Sequence, residues 1–247
     1  VVFYNKKWYF NTRETKRFTT KNKESNMVDL KYIGHSAFEI KTGDKSILVD
    51  PLVSINPKYD YKQSNIVDIF VTHGHSDHLG EAIEISKEKK ATITAITEVA
   101  SYCAGKKVKT RPVCPGGWLN YDWGRAIFLP AYHSSSLPDG SYGGIAASIL
   151  FDIEGVRIFH AGDTCLTPDF KAYKDLYRPN IALLPIGGNY TMDIEHAVVA
   201  ADWLGAKTVI PMHYNTFPEI QADLQKFAQL MQVNNTTCCI LNPEEIK

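Results

Sequence analysis

From residue 27 onward the chain falls into short apolar runs divided by polar turn residues. Residues 28–33, 37–41 and 46–49 are rich in β-formers and are separated by Gly34-His35-Ser36 and Thr42-Gly43-Asp44, which predicts consecutive strands. Asp50-Pro51 ends the third run, because proline cannot continue a ladder. Residues 66–71 predict another strand, with Asp68 as its only charge, and residues 79–89 predict a helix with Leu79, Ile83 and Ile85 inward. A strand over 91–96 follows, then a helix capped by Thr97 that carries Val99, Ala100 and Cys103. Beyond Gly105, Pro112 and Pro115-Gly116-Gly117 a second series of strands is predicted over 125–131, 145–153 and 156–159, with Gly155 in the last turn. The remainder alternates: helix 169–177, strand 181–185, helix 194–204, strand 207–212, helix 219–231, strand 236–241. Strands lead each half, and helices return between later strands. The expected fold class is α/β (α+β): one domain over 27–247, with mixed sheets packed face to face and helices outside.

Residues 1–26 break this pattern. Phe3, Tyr4, Trp8, Tyr9 and Phe10 are mixed with seven Lys/Arg and two Asp/Glu, a net +5 that leaves the rest of the chain at −5. We read 1–26 as a basic N-terminal extension outside the fold. It is either dispensable or an arm that touches nucleic acid or a membrane surface. No apolar leader core or small-residue cleavage site is present in it. The acidic body argues against a broad nucleic-acid surface.

Composition adds little else. At 247 residues, 44% hydrophobic and 22% charged, the chain fits an ordinary globular domain. No run reaches the roughly 18 apolar residues of a membrane helix. The five cysteines form no CxxC pair, so neither a disulfide framework nor a zinc knuckle is expected, and a reducing cytoplasm is the natural compartment.

The chemistry concentrates at strand ends. Thr72-His73-Gly74-His75-Ser76-Asp77-His78 places three histidines and an aspartate within six residues, where a strand gives way to a helix. A turn there can aim several side chains at one point, whereas a strand sends alternate ones to opposite faces. Imidazoles and carboxylates suit zinc first, then manganese or iron. His133, Asp163 and His213 each follow an apolar strand in the same way, on loops over a rigid scaffold. Together they make seven donors, enough for two metal ions that share a carboxylate.

These residues, with Gly34-His35-Ser36-Ala37-Phe38, His160-Ala161-Gly162-Asp163-Thr164, Pro185-Ile186-Gly187-Gly188-Asn189 and Pro211-Met212-His213-Tyr214-Asn215-Thr216, resemble the metallo-β-lactamase-fold superfamily of metal-dependent hydrolases. Within it they resemble a compact branch related to ascorbate-6-phosphate lactonase-like proteins. The resemblance covers about residues 27–247 and implies a four-layer αβ/βα sandwich with the metal site at one edge of the two sheets. It implies His73, His75 and His133 as ligands of one ion, Asp77, His78 and His213 as ligands of a second, and Asp163 as the bridge. Asp50 matches an aspartate that orients the cluster from behind. Cys165 departs from the pattern, where a small residue such as glycine is expected.

The implied activity is hydrolysis of a small ester, lactone or phosphoester by a hydroxide held between two divalent ions, with Asp77 also able to orient the nucleophile. Two other classes fit the fold: a di-iron redox protein and a non-catalytic metal-binding module. Redox members tend to carry a carboxylate where His75 stands, together with a flavin domain, and neither is present. Among the other histidines, His35 reads either as a pocket residue or as a plain turn residue. His160 reads as a partner behind the ligands, or as unrelated to them. His196 reads as a solvated helix residue. Gly187-Gly188-Asn189 reads as a tight turn before it reads as an anion cradle. A small-molecule substrate is expected, with no membrane partner.

Overall fold

The computed structural model describes residues 10–11, 15–18, 28–234 and 236–242. Two seven-stranded sheets carry the fold. The first runs in the order β2 (Thr15–Phe18), β3 (Val28–Gly34), β4 (Ala37–Thr42), β5 (Lys45–Val49), β6 (Ile66–Val71), β7 (Thr92–Ile96), β8 (Thr110–Val113). The second runs in the order β15 (Thr237–Cys238), β14 (Thr208–Met212), β13 (Ile181–Pro185), β12 (Val156–His160), β11 (Ala147–Ile153), β10 (Gly124–Pro130), β9 (Leu119–Tyr121). Each sheet has hairpin-connected antiparallel strands on one side and parallel strands on the other.

Period-two alternation decides which side chain faces which layer. On β6, Phe70 enters the core between the sheets while Ile69 and Val71 point outward. Phe70 meets Phe151 of the opposite sheet edge-on, with ring centroids 5.0 Å apart. The outward residues of the first sheet are covered by α2 (Ala82–Lys89) and α3 (Thr97–Gly105), through Ala82, Ile85, Val99, Ala100 and Cys103. The second sheet is covered by α4 (Asp169–Tyr177), α5 (Ile194–Leu204) and α6 (Leu224–Val233), which bury Phe170, Ala197, Ala201, Phe227 and Met231. The result is the four-layer αβ/βα sandwich expected from the sequence. Among the described residues no helix is long and apolar enough to cross a membrane.

Several local expectations need correction. The helix predicted over 79–89 is two helices, α1 (Ser76–Leu79) and α2, with Gly80 between them at φ 45°. A side chain there would put Cβ 2.4 Å from the Pro51 carbonyl oxygen, so only glycine allows the approach. Leu79, Ala82 and Ile85 are the buried residues and Ile83 is only partly covered. Thr97 does not cap α3; its hydroxyl donates to the Val113 carbonyl of the neighbouring strand. α6 begins at Leu224 rather than 219, because the Asp223 carboxylate caps it by accepting from the N–H groups of Gln225 and Lys226. The final strand is split: β15 pairs with β14, and β16 (Ile240–Leu241) pairs in parallel with β1 (Phe10–Asn11). The short strands β8 and β9 were not anticipated.

The boundary expected at Met27 is also not where strand pairing stops. β2 runs antiparallel to β3, with Thr15 opposite Lys31 and Phe18 opposite Val28. The rest of the proposed extension, residues 1–9, 12–14 and 19–26, lies outside the described residues.

Candidate metal centre

The strands β3, β5, β6, β10, β12, β13 and β14 all end at one edge of the sandwich, which follows from their parallel or doubly antiparallel relations. The loops leaving those ends carry the seven expected donors, and the two halves are joined there. The N–H of Ala147 donates to the Thr72 carbonyl at 3.1 Å, and that of His213 to the His35 carbonyl at 2.7 Å.

Three groups of donor atoms form, each with its members within 4.8 Å of one another. His73, His75 and His133 make one group. His35, Asp77, His78 and His213 make another, and His73, His78 and Asp163 link the two. The structure therefore brings together all seven residues singled out from the sequence and adds His35. Asp163 lies at the junction. Its Oδ2 is 3.1 Å from His213 Nε2, 3.5 Å from His133 Nε2 and 4.0 Å from His73 Nε2, and its Oδ1 is 3.2 Å from His78 Nε2. His73, His78, Asp163 and His213 are buried, whereas Asp77, His75 and His133 are partly exposed and mark the mouth.

Asp50 sets the proton positions behind the cluster. Its Oδ1 accepts the Thr72 N–H at 2.8 Å, and its Oδ2 accepts the Thr72 hydroxyl and the His78 Nδ1–H, each at 2.7 Å. A carboxylate only accepts, so His78 must donate from Nδ1. Because the Thr72 hydroxyl proton is committed to Asp50, the oxygen accepts from His73 Nδ1 at 3.1 Å. One buried carboxylate thus turns the Nε2 atoms of both His78 and His73 toward the centre, directly for one and through Thr72 for the other. Thr72 was not identified from the sequence; its place immediately before the first histidine was the available signal.

His35 is buried and lies among the donor side chains. Its Nε2 lies 3.0 Å from Asp77 Oδ2 and its Nδ1 lies 2.6 Å from the Thr216 hydroxyl. Burial lowers its pKa against the raising effect of the Asp77 hydrogen bond, so the ring is neutral, donates to Asp77 and accepts from Thr216. His160 touches no donor side chain of the cluster. Its Nδ1 accepts the Gly162 N–H at 3.1 Å, so Nε2 carries the proton and donates to the Ser36 carbonyl at 2.9 Å. It fixes the turn that presents Asp163 and ties that turn to the other half of the sandwich. His196 lies on the exposed side of α5, as expected. Cys165 is exposed with no positive φ, so the turn after Asp163 does not need a glycine. Gly187-Gly188-Asn189 is a tight turn in which a Cβ on Gly187 would lie 2.4 Å from the His213 carbonyl oxygen.

Three non-glycine residues of the site hold left-handed backbone conformations: His35 at φ 54°, Asp50 at φ 45° and His213 at φ 53°. Such conformations are uncommon for these residue types and gather where surrounding structure enforces them, often at functional sites.

The electrostatics fit a cation. Burial drives the His73, His75 and His133 rings toward the neutral, ligating form. Burial alone would raise the carboxyl pKa values of Asp163 and Asp77. For Asp163 this is outweighed by His78 and His213, and for Asp77 by the hydrogen bond from His35, so both are held below the usual range. The buried atoms His78 Nε2 and Asp163 Oδ1 have no hydrogen-bond partner. With Nδ1 donating to Asp50, a neutral His78 faces that oxygen with a lone pair. Two acceptors at 3.2 Å require a positive charge, either a second ring proton or a metal ion.

Residues 29–213 match the family model for the beta-lactamase superfamily domain. A protein of Bacillus cereus named UPF0173 metal-dependent hydrolase is 44% identical over 208 residues, covering 81% of this chain and 92% of that protein. Among solved structures, Igni18, a metallo hydrolase from the archaeon Ignicoccus hospitalis, superposes with a TM-score of 0.81 at 36% identity, covering 88% of this chain and 96% of that one. CmlA, a diiron beta-hydroxylase from Streptomyces venezuelae, shares the fold alone, at a TM-score of 0.68 and 13% identity over 90% of this chain and 53% of its own. A family match spanning most of the chain, and relatives matched over nearly their whole length, make this chain a member of the beta-lactamase superfamily, within its UPF0173 metal-dependent hydrolases.

Proposed function

We propose that the protein hydrolyses a small-molecule substrate with two divalent ions. His73, His75 and His133 would hold one, Asp77, His78 and His213 the other, and Asp163 would lie between them. The observation that carries this reading is the pair of orphaned atoms, His78 Nε2 and Asp163 Oδ1, at the junction of two complete donor groups. Zinc suits the preponderance of imidazole, with manganese and iron as the next choices. When bound, such ions lower the pKa of water and polarise the bond to be cleaved. The protein's own part is positional. Asp50 and Thr72 orient His78 and His73. His35 holds the Asp77 carboxylate in one orientation through its Nε2–H, so that Asp77 could also align the nucleophile. His160 holds the Asp163 turn.

Five free cysteines among the described residues suit a reducing cytoplasm. The iron-dependent redox reading has less support, because His75 supplies an imidazole at the position where oxygen-handling members carry a carboxylate. The 247-residue chain loaded with excess zinc, manganese or iron should be assayed for metal content and for cleavage of esters, lactones and phosphodiesters. Two equivalents of metal and turnover of one of these classes are expected. A ceiling of one equivalent would overturn the binuclear assignment. A di-iron charge-transfer band without hydrolysis would overturn the hydrolase.

A further inference from the structure

The loops at the metal edge, residues 34–36, 50–54, 72–81, 131–146, 161–168, 186–193 and 213–223, contain no lysine and no arginine. They do contain Asp50, Glu81, Asp139, Asp193, Glu219 and Asp223 beyond the donor set. Basic side chains gather elsewhere. Arg157, Lys174, Arg178 and Lys207 line a cleft at the opposite edge, where β12 to β14 begin. An enzyme that recognises a phosphate or carboxylate usually presents an arginine or lysine to it. These loops themselves present none, and the basic neighbour that acts on them is Lys106, through Asp139.

It presents aromatic and aliphatic groups instead. Eight large hydrophobic side chains stand exposed among the described residues, and five of them, Tyr132, Tyr142, Ile145, Tyr190 and Phe217, belong to these loops. The other three lie on the outer helices. The Phe217 ring stands edge-on to His35 at 5.2 Å, and Tyr132 adjoins His133. The loop with Tyr142 and Ile145 is folded over the first histidine turn. Its Ser135 hydroxyl accepts the Gly74 N–H at 3.1 Å and donates to the Gly143 carbonyl at 3.0 Å. The Tyr190 turn is tied in through Met192, whose N–H donates to the Thr164 carbonyl one residue after Asp163.

We infer that this collar selects an uncharged substrate with an extended apolar or aryl body, an ester, lactone or amide rather than a phosphoester. The inference rests on the hydrolase reading above. Phe217, against His35, brings the collar to the donor cluster, so a body lying on it can belong to the molecule whose reactive group reaches the metals.

The test uses the zinc-loaded 247-residue chain and 4-nitrophenyl esters with one leaving group: acetate, butyrate, pentanoate and octanoate, with the glutarate monoester as the charged counterpart of pentanoate. KM should fall about twofold per added methylene, less than full burial would give because the collar is open. The glutarate monoester should have kcat/KM at least about tenfold below pentanoate. Tyr142→Ser with Ile145→Ser, residues outside the donor machinery, should raise KM for octanoate about tenfold and that for acetate by much less, because only octanoate adds a long acyl chain to the shared aryl group. Turnover-independent binding is read with the neutral dye Prodan, whose emission should shift to the blue with the parent protein and not with the double variant. A flat chain-length series, a preferred glutarate monoester, or dye binding unchanged in the variant would overturn the collar assignment. So would dye release on raising protein concentration, which would make the collar a self-association face. Collar-dependent dye binding with no cleavage of any ester, lactone, amide or phosphodiester would support the collar and overturn the hydrolase reading instead.

Discussion

Asp50 accepts the Nδ1 proton of His78 at 2.7 Å, and this leaves the opposite nitrogen of the ring facing Asp163 with no hydrogen-bond partner. The buried carboxylate thus fixes a tautomer 28 residues away and, through the Thr72 hydroxyl, that of His73 as well. Asp50→Asn would present an amide in place of an acceptor-only group. Metal affinity should fall about 10- to 100-fold, with the fold intact by circular dichroism. Competition with a chromophoric chelator measures it; an unchanged affinity would remove Asp50 from the site.

Asp163→Asn should weaken one ion far more than the other. The first donor group contains only imidazoles, so Asp163 would be its one anionic partner, whereas the second keeps Asp77. Activity should fall by about 10²-fold or more. His196→Asn, on the solvent side of α5, is the control and should match the parent in metal content and rate. Retention of both ions and full rate by the Asp163 variant would refute the bridging role.

Metal uptake should release protons near neutral pH. Without metal, burial opposes charge on His78, but Asp163 and Asp50 outweigh it and raise the pKa well above 6.5. A raised pKa stabilises the folded state below the unfolded value, and that contribution is lost as pH rises through the folded value. Asp163 is shifted the opposite way, so its contribution is present above the ordinary carboxylate pKa and lost as pH falls through its lowered one. Metal-free protein should therefore lose stability toward alkaline pH, and metal-loaded protein should not. About one proton per chain should appear on metal binding at pH 7, read by calorimetry in buffers of different ionisation enthalpy.

Gly80→Ala should destabilise the protein by about 1–3 kcal/mol and loosen metal binding with it. The added methyl would collide with the Pro51 carbonyl, in the segment that joins Asp50 to the turn carrying Asp77 and His78. Urea unfolding of the metal-free protein measures the first effect; no change in midpoint would show that the loop yields.

A chain beginning at Met27 should keep its metal content, because all seven named donors lie at or beyond His73. It should melt a few degrees lower, because β3 would lose β2 as a neighbour. Loss of bound metal would show that the segment supports the site.

The parts of this molecule legible in the sequence are those governed by one local rule. α4, β13 and α5 end where their apolar periodicity and flanking prolines or glycine end, and all three were predicted to the residue. The donors were legible because each sits at the end of an apolar strand. What was hidden depends on distant contacts. The break at Gly80 is imposed by Pro51, nearly 30 residues earlier, and β8 and β9 are too short to show a period. The hydrogen bonding of His35 depends on Thr216, from the other half of the chain, and no local pattern around a Gly-His-Ser turn records that.

The donor set is divided between the halves. His73, His75, Asp77 and His78 come from the first, and His133, Asp163 and His213 from the second. During synthesis the first four emerge together on one short turn, long before the strand that delivers His213 exists. Neither half alone can enclose an ion, so tight metal capture is a late event that reports docking of the two sheets. A nick in the 114–118 crossover should accordingly yield two fragments whose reassembly depends on metal concentration.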